Sequence, residues 1–96
     1  MAIMVCADVS AETKIGYWIQ DCAAATQNIL LAAEALGLGA CWLGLHPREE
    51  RKAAVSQLLN IPAGISPLSL IAIGKKGEVK PPAGRYLKSH IHKNGW

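Results

Sequence analysis

Ninety-six residues with a net charge of +3 make at most one small domain, and a chain this size buries about 60–65 % of its unfolded surface. Half of the residues are hydrophobic and the mean hydropathy is +0.20, high for so short a soluble monomer, so a partner subunit or a missing domain is expected to cover apolar surface. No window approaches the ~20 apolar residues of a membrane span, the start lacks a signal-peptide pattern, and basic residues gathered mostly after residue 74 suit a local anion site better than a nucleic-acid face.

In chain order, the apolar run Ala2–Ala7 is compatible with a buried strand. Asp8–Lys14 is polar, with Ser10 and Thr13 available to cap a helix beginning just beyond them. Gly16–Leu36 then carries a long helix pattern. Its polar residues Gln20, Asp21, Gln27, Asn28 and Glu34 recur at heptad spacing and make one narrow stripe. A helix so thinly wetted is expected to be buried on most sides, in the core or at a subunit interface. Gly37 and Gly39 end it, because glycine enters the left-handed region without a Cβ clash, and Ala40–Leu45 reads as a strand.

His46-Pro47-Arg48-Glu49-Glu50 is expected to open a second helix, with proline in the first helical position and acidic residues in the first turn. Ala53, Val55, Leu58 and Leu59 would form its buried face, and Asn60 stands where a left-handed C-terminal cap belongs. Ile61–Gly64 is a turn, and Pro67–Ile73 a third apolar strand ending at Gly74. From Lys75 onward the chain is basic, and Pro81 and Pro82 hold it extended. Strand, helix, strand, helix, strand suggests an α/β protein with a parallel sheet.

Chemistry-bearing residues are sparse. Cys6, Cys22 and Cys41 are odd in number and linked by no metal spacing, so buried free thiols in a reducing cytoplasm are expected. His90 and His92 lack a third ligand and suit surface or packing roles better than a metal. There is no nucleophile motif, no carboxylate pair at catalytic spacing and no phosphate-binding G-x-x-x-x-G-K-[ST]. Any chemistry is therefore expected to come from a bound cofactor. Two elements could hold one: a bare backbone ledge at Trp42-Leu43-Gly44, and the stiff tail presenting Lys80 and Arg85, the residue types that bind phosphate. From local chemistry alone, a solvated basic tail is the simpler reading of Lys80 and Arg85.

The stretch from Tyr17 to Tyr86 resembles the C-terminal half of the nitroreductase family of flavin enzymes. The pieces that carry the resemblance are DCAAATQNILLAA (Asp21–Ala33), GLGACWLG (Gly37–Gly44), PREER (Pro47–Arg51) and KPPAGRY (Lys80–Tyr86), in this order and spacing. It implies an α+β fold, with a mixed and mostly antiparallel sheet flanked by helices, and residues 1–96 as a partial flavin-binding domain. It also implies FMN as cofactor, NADH or NADPH as electron donor, and a cytoplasmic homodimer with the long helix at the interface. Position by position, Trp42, Leu43 and Gly44 resemble the segment beside the flavin ring. Arg85 matches a basic residue holding the FMN phosphate, and Lys80 is a second match for that task. His46 stands where related sequences place an N-cap such as aspartate, which should weaken that helix start by ~1 kcal/mol. The function implied is electron transfer from NAD(P)H through FMN to nitroaromatic or quinone-like acceptors. Because the resemblance covers one half of the family fold, the alternative is a catalytically inert, truncated flavin-binding or dimerisation module.

Overall fold

The computed structural model describes residues 1–11 and 16–96. Strands and helices alternate as β1 (Ala2–Asp8), α1 (Tyr17–Ala35), β2 (Leu38–Gly44), α2 (Glu49–Leu59) and β3 (Ile65–Lys75). The strand order is β1-β3-β2, and β3 runs antiparallel to both neighbours. The fold is α+β. The parallel sheet suggested by element order does not form, because the last strand enters between the first two and runs against each.

The register is set by three bonds at the sheet's ends. Met1 and Ile73 exchange both backbone bonds at 3.0 and 2.9 Å, so by the alternation of an antiparallel ladder Ile3–Ile71 and Val5–Ser69 are hydrogen-bonded pairs as well. On the other side, the Leu45 N–H donates to the Leu68 carbonyl at 3.0 Å, which makes Leu43–Leu70, Cys41–Ala72 and Gly39–Gly74 the hydrogen-bonded pairs. Between residues 68 and 75, β3 therefore spends its odd-numbered backbone groups on β1 and its even-numbered ones on β2. The β1 ladder jumps between Val5 and Cys6, whose partners are Ser69 and Pro67, so Leu68 is passed over. Pro67 has no N–H to give a central ladder, and an irregularity is where a sheet tolerates proline.

The core lies between this sheet and α1. Ser69 and Ile71 of β3 are fully buried, as is Thr26 of α1. Cys22, Thr26 and Ala33 are the buried residues of α1, a spacing of four and seven that marks one face. Ile3, Val5, Ala40 and Trp42 share the α1 side of the sheet with Ser69 and Ile71, whereas Met4, Cys41, Leu43 and Leu70 face the other side.

Several expectations need correction. The helix α1 is buried along one face rather than most of its circumference, and Tyr17 and Leu31 on its outer side are 55 % and 60 % exposed. Its N-cap is Gly16, with φ +87° and no side chain of its own to cap the helix. Ser10 instead sits in a 3-10 turn and binds the Asp8 carboxylate through its N–H and hydroxyl, while Thr13 lies outside the described residues.

Helix α2 does not open at Pro47, which follows a cis peptide bond. The Leu45 and His46 N–H groups both still bond to the Leu68 carbonyl, so the chain is tied to the sheet until Arg48, the actual N-cap. No residue of α2 is fully buried: of the predicted apolar face Val55 is half-buried, whereas Ala53, Leu58 and Leu59 are exposed. Asn60 is left-handed at φ 51°, ψ 46°, as expected of the cap. The third strand is longer than predicted at both ends.

Of the three thiols only Cys22 is buried; Cys6 is half-buried and Cys41 exposed. Cys41 points to the side of the sheet that α1 does not cover. Burial pushes the Cys6 thiol up; burial first, then the neighbouring Cys6 and Asp21, does the same to Cys22. After Lys75 the chain is exposed and has no strand or α-helix. The radius of gyration of 16.5 Å exceeds the about 12–13 Å of a compact chain of this length, because this tail leaves the body.

Candidate functional site

Strand β2 is an edge strand, and its register decides which groups it shows to the outside. Because Leu43 and Leu45 bond inward to β3, the N–H and C=O groups of Ala40, Trp42 and Gly44 point outward, away from the sheet. The Trp42 and Gly44 donors lie two residues apart, about 7 Å along the strand, so one flat ligand could meet both. Side chains leave room for it: a Cβ built on Gly44 would meet nothing within 4 Å. Trp42 and Leu43 project to opposite faces of the sheet and are both partly exposed.

Arg51, in the first turn of α2, reaches back to this edge. Its Nη1 donates to the Gly44 carbonyl at 3.3 Å, so the outward position of that carbonyl, derived from register, also has a partner to show it. The Gly44–Leu45 peptide is held from both sides, by Arg51 outside and by Leu68 inside at 3.0 Å. Sequence reasoning noted Arg51 only as part of a helix start. The signal within the sequence was a guanidinium seven residues beyond the glycine, on the helix that succeeds the ledge.

His46 closes the same end of β2. Its ring makes an edge-on contact with Trp18, centroids 5.2 Å apart at 78°. Its Nδ1 is buried with no hydrogen-bond partner among the described residues.

Lys80 does not join the Trp42–Gly44 end. Lys80 lies near the opposite end of β2, lining a groove of about 430 Å³ with Glu34, Gly39, Ala40, Lys76 and Glu78. Both lysines there are already paired, Lys80 with Glu78 and Lys76 with Glu34, each at 2.7 Å. Arg85 is exposed and makes no ion pair or hydrogen bond among the described residues. The structure thus brings Trp42, Leu43 and Gly44 together with Arg51, and places Lys80 near the other end of β2. His90 lies in a single 3-10 turn and His92 stacks on Trp96, with centroids 4.6 Å apart; no group of three metal-ligating side chains occurs among the described residues. No helix among them is long and apolar enough to cross a membrane.

Comparison with known proteins places this architecture. The family model described as the nitroreductase family matches residues 3–75, and the chain belongs to that family. It is 43 % identical over 96 residues, all of this chain and 50 % of the relative, to the protein of Methanothermobacter thermautotrophicus named "Putative NADH dehydrogenase/NAD(P)H nitroreductase". A crystal structure of a protein of the same name from Bacteroides thetaiotaomicron superposes with a TM-score of 0.90 at 41 % identity, over 99 % of this chain and 55 % of that one. An FMN-dependent nitroreductase from Clostridium difficile superposes with a TM-score of 0.86 at 27 % identity, over 99 % and 57 % of the two chains. The chain spans about half the length of the relatives it matches.

Proposed function

We propose that this chain is the flavin-holding portion of an FMN-dependent oxidoreductase that takes electrons from NADH or NADPH and passes them to a nitroaromatic or quinone-like acceptor. The observation that carries the reading is the unpaired β2 edge, where the Trp42 and Gly44 N–H groups face outward beside a glycine with open space. Family membership and the FMN-dependent relative support it.

The residues present fit one part of FMN. A flat ring needs backbone donors along its rim and no side chain in its plane, and the Trp42-Leu43-Gly44 edge offers both. Bound there, FMN would supply hydride acceptance and onward electron transfer, chemistry that none of these side chains performs. The chain's own share is to orient the ring through Trp42 and Gly44 and to shield one face of it. Arg85 and Lys80 would hold the phosphate through charge-assisted bonds, Arg85 being the less encumbered because Glu78 already occupies Lys80. The outer side of α1, where Tyr17 and Leu31 are exposed, would pair with a second copy to give a homodimer.

Two observations favour a second reading, an inert module that binds flavin or a partner without turnover: the chain spans about half the length of its relatives, and Glu78 already engages Lys80. Visible spectroscopy of the purified chain during titration with FMN, followed by NAD(P)H oxidation with a nitroaromatic acceptor, tests both. A yellow, turning-over protein supports the first reading, and a yellow protein without turnover the second. A colourless protein that takes up no FMN overturns the flavin assignment.

A further inference from the structure

The Gly44–Leu45 peptide is the last of β2 and the one with least intrinsic restraint, since glycine adds no Cβ to limit its backbone. It is nevertheless pinned twice, by the Leu45 N–H to Leu68 inside the sheet and by the Arg51 guanidinium to the Gly44 carbonyl outside it. Arg51 is otherwise exposed, and the rest of its fork has no partner among the described residues. The nearest acidic residues in sequence are Glu49 and Glu50; Glu49 is engaged by Lys52 at 3.1 Å. An arginine on a solvent-facing helix turn ordinarily points into water. This one returns to the strand edge and places a permanent positive charge beside two outward N–H donors.

We propose that Arg51 is a positioning residue for the ligand of this edge: it fixes the Gly44–Leu45 peptide, and with it the course of the chain where the edge ends, and its charge favours the electron-rich, reduced form of a flavin held there. The inference rests on the flavin reading above. A pre-set charge costs no reorganisation when the ring gains electrons, and a guanidinium cannot be neutralised at any working pH. The two effects are separable by chemistry. Glutamine retains an N–H donor for the Gly44 carbonyl without the charge, and lysine retains the charge without the planar fork.

The test uses the full chain and its Arg51→Ala, Arg51→Gln and Arg51→Lys variants. FMN binding is read by quenching of flavin fluorescence, and the two-electron midpoint potential of the bound flavin by dye equilibration. Far-UV circular dichroism checks that each variant is folded. In Arg51→Ala, FMN affinity should fall about three- to tenfold. The preference for reduced over oxidised flavin should fall about tenfold, which is about 30 mV to more negative potential for a two-electron couple. Arg51→Gln should keep most of the affinity and lose the potential, and Arg51→Lys should keep most of the potential. A folded Arg51→Ala that matches the parent in both affinity and potential overturns the role of Arg51 while leaving the flavin reading standing. If the parent chain binds no FMN at all, it is the flavin reading that falls, and this inference with it.

Discussion

The Thr26 and Ser69 hydroxyls lie 2.8 Å apart at a point where both side chains are fully buried, joining α1 to the central strand. The Thr26 hydroxyl has one proton, and it is directed at the Cys22 carbonyl 2.7 Å away. Ser69 must then donate to Thr26. Replacing Thr26 by valine leaves the buried Ser69 proton without an acceptor and should cost about 1–3 kcal/mol, whereas Ser69→Ala removes one bond and should cost about 0.5–1.5 kcal/mol. The double variant should recover part of the Thr26→Val loss, because no stranded donor remains. Urea unfolding of the four proteins gives the coupling; strictly additive losses would show that the two hydroxyls do not interact.

Association should run through the outer side of α1. Tyr17, Ala24 and Leu31 keep heptad spacing there, and all three are exposed. Leu31→Glu and Ala24→Arg should raise the dimer dissociation constant tenfold or more, about 1.4 kcal/mol, with the monomer fold intact because neither residue enters the core. Analytical ultracentrifugation reads the change, and a parent chain that sediments as a folded monomer at micromolar concentration would refute the dimer.

For the tail, Arg85→Ala should weaken FMN binding about ten- to a hundredfold, the equivalent of ~1.5–3 kcal/mol for a charge-assisted contact. Riboflavin, which lacks the phosphate, should bind the parent and the variant alike. Lys80→Ala should have the smaller effect, since Lys80 is shared with Glu78. Equal FMN affinity for parent and Arg85→Ala would make the tail a solvated surface.

Acid should act through Asp8. The Ser10 hydroxyl and then the Ser10 N–H bond its carboxylate, holding it below its ordinary value. A carboxyl depressed in the folded state adds stability above its unfolded value of about 3.9, and that stability fades as pH falls through the lower folded value. Asp8→Asn should therefore be less stable than the parent near pH 6, with the gap closing toward about pH 2–3. Urea midpoints at the two pH values check it; a gap that widens in acid would contradict the assignment.

The elements were legible because each announced itself locally: glycines flanking the long helix, Asn60 at a left-handed cap, apolar runs for the strands. Their partners were not. Element order alone could not reveal that β3 enters between β1 and β2, and Ser69 reads as a polar interruption until Thr26 is brought opposite it. The apolar positions of α2 looked like a core face, yet Leu58 and Leu59 are exposed. At the candidate site, the motif marked Trp42–Gly44 correctly as an edge with room. It could not show which N–H groups point outward, since that depends on ladder parity, nor that Arg51 folds back to Gly44. Lys80 and Arg85 were assigned by resemblance to the phosphate of FMN rather than to its ring, and Lys80 lies at the other end of β2, engaged by Glu78.

Leu68 turns its carbonyl toward β2, as the even-numbered groups of β3 do, and there it accepts both the Leu45 and the His46 N–H. That double acceptance marks the end of β2 at Gly44, where the chain turns toward α2. The central strand thus sets where its outer neighbour ends. A substitution that shifts the backbone at the buried Leu68 would loosen both bonds at once and alter the rim of the molecule one strand away. Residues of β3 that meet no ligand therefore belong among those able to tune what the β2 edge can hold.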